Sequence, residues 1–225
     1  MSPEPRRGTA ADLLVVGLGN PGREYAGTRH NVGAEVVELL AQRHGERLRS
    51  GRERALVAEA RVGGRRMVLA FPQTYMNDSG ASVQLLVRRF GITGDLPRLV
   101  VVHDELDLPP GVVRVKQGGG LAGHKGLASI KAHLHSDAFS RVRIGIGKPP
   151  GGKERGADHV LAAPGKRERT DLAVSVEVAA DAVELILAEG LDAAQTRVNA
   201  INPNGNTGNP PAAPENPPSP GSMAR

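Results

Sequence analysis

The sequence holds no cysteine and no tryptophan, and among its 225 residues there are only two tyrosines and three phenylalanines. Without thiols, disulfides and thiolate chemistry are excluded, so a nucleophile must be a hydroxyl, a carboxylate, an amine or water. The absence fits a reducing, cytoplasmic setting. So few aromatics leave no stacking platform for single strands, and a nucleic-acid partner would be held mainly by its phosphates. No apolar run approaches the roughly 20 residues needed to span a bilayer. The opening "MSPEPRRGTA" lacks the apolar segment of a signal peptide, so no membrane partner is expected.

What is present suffices for one domain. The chain is 39% hydrophobic, enough for a sizeable core, and carries a net charge of +5. That charge is unevenly spread: residues 114–155 hold nine Lys/Arg against two acids, a local excess larger than that of the whole chain and a candidate polyanion footprint. Residues 202–225, "NPNGNTGNPPAAPENPPSPGSMAR", offer almost nothing to bury and are expected to be disordered; residues 1–10 read as similarly loose. The folded unit is therefore expected over 11–201.

Near its start stands "VVGLGNPGREYAGTRHN", in which Gly17, Gly19 and Gly22 spell G-x-G-x-x-G after an apolar run. A dinucleotide loop needs a helix at the third glycine and an acidic residue about 20 positions on, at a strand end. Here Pro21 lies inside the motif, a polar loop follows it, and position 42 falls within a helical pattern, so the nucleotide reading fails. Apolar periodicity and turn residues predict strands over 13–18, 56–62, 66–71, 99–103, 112–116 and 142–147. They predict helices over 31–44, 79–90, 124–134, 166–189 and 191–201. The alternation implies an α/β fold, a single layered domain with a central mixed, mostly parallel sheet flanked by helices.

Such sheets bind ligands at the carboxyl ends of their strands. Asn20, Asn77 and Asp104 mark that edge, and His30 lies on the loop leaving the first strand. Histidine is a competent general base near neutral pH, and an aspartate on its second ring nitrogen would fix the tautomer and stabilise the imidazolium. His30 and Asp104 fit that pairing; the amides of Asn20 and Asn77 suit substrate positioning or a tetrahedral oxyanion. No G-x-S-x-G elbow appears and Ser79 reads as a helix cap, which favours water as the nucleophile. The string His103-Asp104-Glu105 might suggest a metal, but alternation sends His103 and Asp104 to opposite faces, and His133 and His135 diverge on a helix. No metal site is expected.

The strings "VVGLGNPGREYAGTRHNVG", "FPQTYMNDSG", "VVHDELDLPPGVVRVKQGGGLAGHKGL" and "RVRIGIG", in this order and spacing, resemble the bacterial-type peptidyl-tRNA hydrolase family over about residues 13–201. The resemblance implies a monomeric α/β enzyme that cleaves the ester between a peptide and the 3′ ribose of tRNA, with no metal or other cofactor. By motif it makes His30 the base and Asp104 its orienting partner, Asn20 and Asn77 substrate-positioning, and Tyr25, Tyr75 and Met76 cleft residues. Lys116 and Arg143 match positions associated with tRNA binding, and Lys131 extends the patch. At Lys125, in "GHKG", the family usually has asparagine on the substrate side of the cleft; His124 is retained. An RNA-binding protein on the same scaffold is the alternative that this departure raises, and intact His30, Asp104, Asn20 and Asn77 argue against it. The basic segment disfavours a hydrolase unrelated to RNA.

Overall fold

The computed structural model describes residues 10–149 and 155–201; the expectations for the first nine residues, for Lys153 and Glu154, and for the tail from 202 lie outside them. Seven strands form one sheet: β1 (Leu13–Gly17), β2 (Arg49–Ser50), β3 (Ala55–Val62), β4 (Arg65–Pro72), β5 (Leu99–Glu105), β6 (Val113–Gln117) and β7 (Ser140–Gly145), in the order β2-β3-β4-β1-β5-β7-β6. The centre, β4-β1-β5-β7, is parallel. β3 and β2 add to one edge and β6 to the other in antiparallel fashion. Strands buried on both faces read as continuous apolar runs, which is why "LLVV" and "LVVV" occupy the middle.

Helices cover both faces. Against one lie α1 (Val32–Arg43), α5 (Lys166–Glu189) and α6 (Leu191–Ala200), whose Val36, Leu40, Val183 and Ile186 meet Val15, Leu69, Val102 and Val142. Against the other lie α2 (Ser79–Arg89) and α3 (Lys125–Leu134), whose Val83, Leu86, Leu127 and Ile130 meet Leu14, Val16, Val68 and Val101. Two short elements escape the sequence pattern. β2 is only two exposed residues, and α4 (Gly156–Leu161) is too short to display a helical period. β5 also runs to Glu105 rather than stopping at His103, because the polar "HDE" is buried at the sheet edge instead of leaving it.

β1 is the pivot. Its chain neighbours reach it from opposite sides: α1 leads along one face towards β4 on one flank, and β4 connects through α2 on the other face to β5 on the other flank. The crevice beyond β1 therefore opens between the two crossovers, at the switch point. Gly17 and Gly33 let α1 approach it. A Cβ at Gly17 would fall inside the Gly33 carbonyl, and one at Gly33 inside that of Val102. The first glycine of the apparent nucleotide motif thus serves strand–helix packing.

At the far edge, β6 is finished by a side chain. Asn199 of α6 accepts from Val115 N at 2.8 Å and donates to Val115 O at 2.9 Å, as a residue of an adjoining strand would. Among the described residues no helix is long and apolar enough to cross a membrane. We expect Gly17→Ala to lower the unfolding free energy by about 1–3 kcal/mol, the usual cost of overpacking a tight contact; a denaturant titration with an unchanged midpoint would show that α1 can withdraw.

Candidate active site

At the carboxyl edge of β1 the chain turns through Asn20 and returns by a tight turn, Arg29–Asn31, into α1. The turn puts His30 and Asn31 back beside the strand they left. Asn31 precedes the helix but does not cap it. Its amide instead brackets the backbone of Asn20, accepting from Asn20 N and donating to Asn20 O, each at 2.9 Å. Asn20 Oδ1 accepts from Met76 N at 2.8 Å, which ties the loop after β4 to the loop after β1. With the amide orientation set by that bond, Asn20 Nδ2 is left facing the cleft.

Asp104, 3% exposed near the end of β5, accepts from two histidines on one oxygen. His30 Nδ1 lies 2.8 Å from Oδ1 and His124 Nε2 lies 3.1 Å from it. The tautomers follow from the partners. His124 Nδ1 accepts from the amides of Gly126 and Leu127 as the N-cap of α3, so its proton sits on Nε2 and points at Asp104. Burial pushes the Asp104 carboxyl up, but the adjacent His124 and His30 outweigh it and hold the group well below the usual carboxylate range. An ionised Asp104 requires the proton of His30 on Nδ1. His30 Nε2 is then an open lone pair, with no hydrogen bond to another described residue, on the wall of the cleft.

His30, Asp104 and His124 offer ligand atoms within 4.8 Å of one another, a spacing compatible with a cation. The hydrogen-bond pattern describes a relay instead, since coordination through His124 Nε2 would require that nitrogen to lose the proton its cap imposes. His103 stands apart from the carboxylate. Its Nδ1 meets the Asp104 carbonyl, and its ring packs edge-on against His124 at 5.0 Å. Burial, then the neighbouring His124, lowers its pKa well below the ordinary imidazole value, so it stays neutral.

The cleft holds about 500 Å³. Polar groups gather at its floor, and Tyr75, Met76, Leu106, Val160 and Leu161 give it an apolar wall. Among its lining residues there is no serine or threonine. Two of these five wall residues, Val160 and Leu161, come from α4, which Arg29 holds. The guanidinium pairs with both oxygens of Glu168 at 2.5 and 2.6 Å and donates to the carbonyls of His159 and Ala162 at 3.1 and 3.0 Å. The residue before His30 thus pins the helix across the cleft, and that bond is the main reason the Glu168 pKa is lowered.

The residues expected from sequence fall into place unevenly. His30, Asp104, Asn20, Asn77, Tyr75, Met76 and Lys125 all line the cleft. Tyr25 is not among its lining residues; its ring stands edge-on to Tyr75 at 6.4 Å. Lys116 is exposed on β6, while Arg143 is half-buried and bonded to Glu105 at 3.1 Å. Lys131 is paired with Asp137 at 2.7 Å. Asn31 and the second bond to Asp104 from His124 escaped the sequence reading, Asn31 because an asparagine before a helix reads as a cap.

An imidazole with an open nitrogen beside the amides of Asn20 and Asn77, in a cleft whose lining residues include no serine or threonine, is an arrangement suited to a water-using hydrolase on an α/β fold. The residues 14–206 match the family described as Peptidyl-tRNA hydrolase, and the chain belongs to that family. It is 51% identical over 188 residues to a peptidyl-tRNA hydrolase of Frankia casuarinae, covering 84% of this chain and 94% of that one. To a peptidyl-tRNA hydrolase of Cutibacterium acnes it is 48% identical over 198 residues, covering 83% and 98%. The crystal structure of peptidyl-tRNA hydrolase from Acinetobacter baumannii superposes with a TM-score of 0.79 at 39% identity, over 87% of this chain and 99% of that one.

Removing the Arg29 side chain leaves the Glu168 carboxylate without its guanidinium and the His159 and Ala162 carbonyls with only their backbone donors. We expect Arg29→Met to cost on the order of 2 kcal/mol, below the figure for a fully buried pair because Glu168 is partly exposed. Amide exchange across 156–161 should accelerate more than in the sheet; uniform acceleration would mean that Arg29 does not hold α4 in particular.

Proposed function

We propose that this protein hydrolyses the ester joining a peptide, or an N-blocked aminoacyl group, to the 3′ ribose of tRNA, using water and no metal or other cofactor. The observation that carries the mechanism is the open Nε2 of His30, whose Nδ1 is fixed on an ionised, buried Asp104. Nε2 takes a proton from water as the water oxygen attacks the ester carbonyl. The oxyanion so formed accepts from the side-chain amides of Asn20 and Asn77. Collapse breaks the bond to the ribose 3′ oxygen, which recovers the proton from Nε2 as it leaves. Asp104 stabilises the imidazolium in between, and the bond from His124 keeps its oxygen aimed.

The apolar wall of Tyr75, Met76, Leu106 and Val160 takes the peptide portion, and Lys116, Arg143 and Lys125 meet tRNA phosphates. The chain acts as a cytoplasmic monomer in this reading. Lys125, at the first turn of α3, brings to the cleft side an ammonium with no ion pair among the described residues, where an asparagine would both donate and accept.

His30→Ala should lower turnover of N-acetyl-aminoacyl-tRNA by at least ~10²–10⁴-fold with unchanged circular dichroism, and a chelator should leave wild-type turnover intact. Asp104→Asn should be less severe, keeping a hydrogen-bonding group while losing the charge that sets the tautomer. Near-normal hydrolysis by the His30 variant would remove the mechanism. Because Asp104 is held ionised well below the usual carboxylate range, acidification through that range should cost no activity by protonating Asp104, which a pH–rate profile checks. Binding of tRNA should weaken with salt, and Lys116→Ala should flatten the log–log slope by somewhat under one unit, about the share of one phosphate contact. A salt-insensitive complex would count against phosphate recognition.

A further inference from the structure

Between β6 and α3 runs the glycine-rich loop that carries Lys116 at one end and His124 at the other. Its amides are idle. The N–H groups of Gly119, Gly120, Leu121, Ala122 and Gly123 donate to no other described residue, and four of these five residues are exposed. Five consecutive unpaired donors are unusual in a folded chain unless water or a ligand takes them.

Their direction is imposed from beneath by Arg141. This residue, on β7 opposite Lys116, is 2% exposed and has no carboxylate partner among the described residues. Its Nη1 donates to Gly120 O at 2.8 Å and its Nη2 donates to Gly118 O. With no cis bonds in the chain, each peptide N–H points opposite to its carbonyl. Turning the Gly118 and Gly120 carbonyls inward therefore turns the amides of Gly119 and Leu121 outward. Gly118 and Gly119, at φ 56° and 85°, take the left-handed conformations this needs, and the loop closes by a turn through Ala122 and Gly123, also at positive φ.

Charge points the same way. The Lys116 ammonium arches over Gly119, against the position a Cβ would occupy there, and makes no ion pair among the described residues. Arg141 has Arg143 as a near neighbour, Glu105 is bonded to Arg143, and Asp137 is bonded to Lys131. The Nε of Arg141 is buried and unpartnered. Glu105 and Asp137 therefore offset the buried Arg141 charge only from a distance and while engaged by other cations, and a guanidinium so placed gains from an anion just outside it.

We propose that the outward amides of Gly119 and Leu121, with the Lys116 ammonium above them, form a backbone nest for one phosphodiester of the RNA strand whose 3′ end enters the cleft, and that Arg141 is the positioning residue that builds it. The proposal rests on the RNA substrate proposed above. It gives the loop two tasks at once, because the strand it grips at Gly119 is aligned by the same backbone that ends in the His124 cap.

The full chain, labelled with nitrogen-15, is titrated with the dinucleotide CpA, which has a single phosphodiester, with a mixture of cytidine and adenosine, and with inorganic phosphate. CpA should move the Gly119 and Leu121 amide protons downfield, and the nucleoside mixture should not. Lys116→Ala should weaken the CpA response about tenfold. Arg141→Lys keeps the charge but cannot span two carbonyls, so it should abolish the amide shifts while circular dichroism stays native. Should that variant fail to fold, Lys116→Ala and the nucleoside control still decide the phosphate assignment. Amides unmoved by CpA would overturn the nest, and shifts that survive in Arg141→Lys would overturn the role of Arg141. If inorganic phosphate binds as tightly as CpA, the assignment to RNA falls. Hydrolysis of N-acetyl-aminoacyl-tRNA is scored separately: activity without CpA shifts sinks the nest alone, and CpA shifts without activity sink the esterase reading alone.

Discussion

One carboxylate oxygen organises this site. Asp104 Oδ1 accepts a hydrogen bond from each of two imidazoles that arrive on different elements, His30 from the turn before α1 and His124 from the cap of α3. A buried carboxylate is costly unless its charge is met, and here two donors meet it. Each histidine in turn has only one nitrogen left to choose. His124 spends its other nitrogen on the backbone of α3, whereas His30 keeps its own free. The asymmetry between two otherwise similar rings therefore comes from what lies behind them, and it decides which one turns an open nitrogen to the cleft.

The sheet makes that meeting possible. With β1 between β4 and β5, three loops that are far apart in sequence open on one edge, and the Asn20 and Asn31 amides lock two of them to each other. None of these bonds touches the reacting centre. They fix where Asn20 Nδ2 and His30 Nε2 stand relative to one another, which is the geometry the proposed water-based mechanism would rely on, since it forms no covalent intermediate to hold the substrate in place.

Much of this was legible in the sequence. Apolar runs announced the central strands, and the motif residues His30, Asp104, Asn20 and Asn77 all reach one cleft. What could not be read were features without periodicity or with the wrong apparent role. β2 and α4 are too short for a pattern, Asn31 looks like a cap, and Arg29 looks like one more surface cation until Glu168, 139 residues away, is seen beside it. The count of basic residues over 114–155 overstated the free charge as well, since Lys131, Arg143 and Lys148 are each paired with an acid. Composition sums charges; only the fold shows which are already spoken for.

The bracket that Asn199 places on Val115 has a reach beyond local packing. Any strand seeking to lengthen the sheet at β6 finds the middle of its ladder already occupied, and would have to peel α6 away before it could register. The side of the molecule that carries Arg114 and Lys116 is thereby closed to backbone pairing at Val115 while its cations stay on the surface, which is the combination that the proposed phosphate recognition would need.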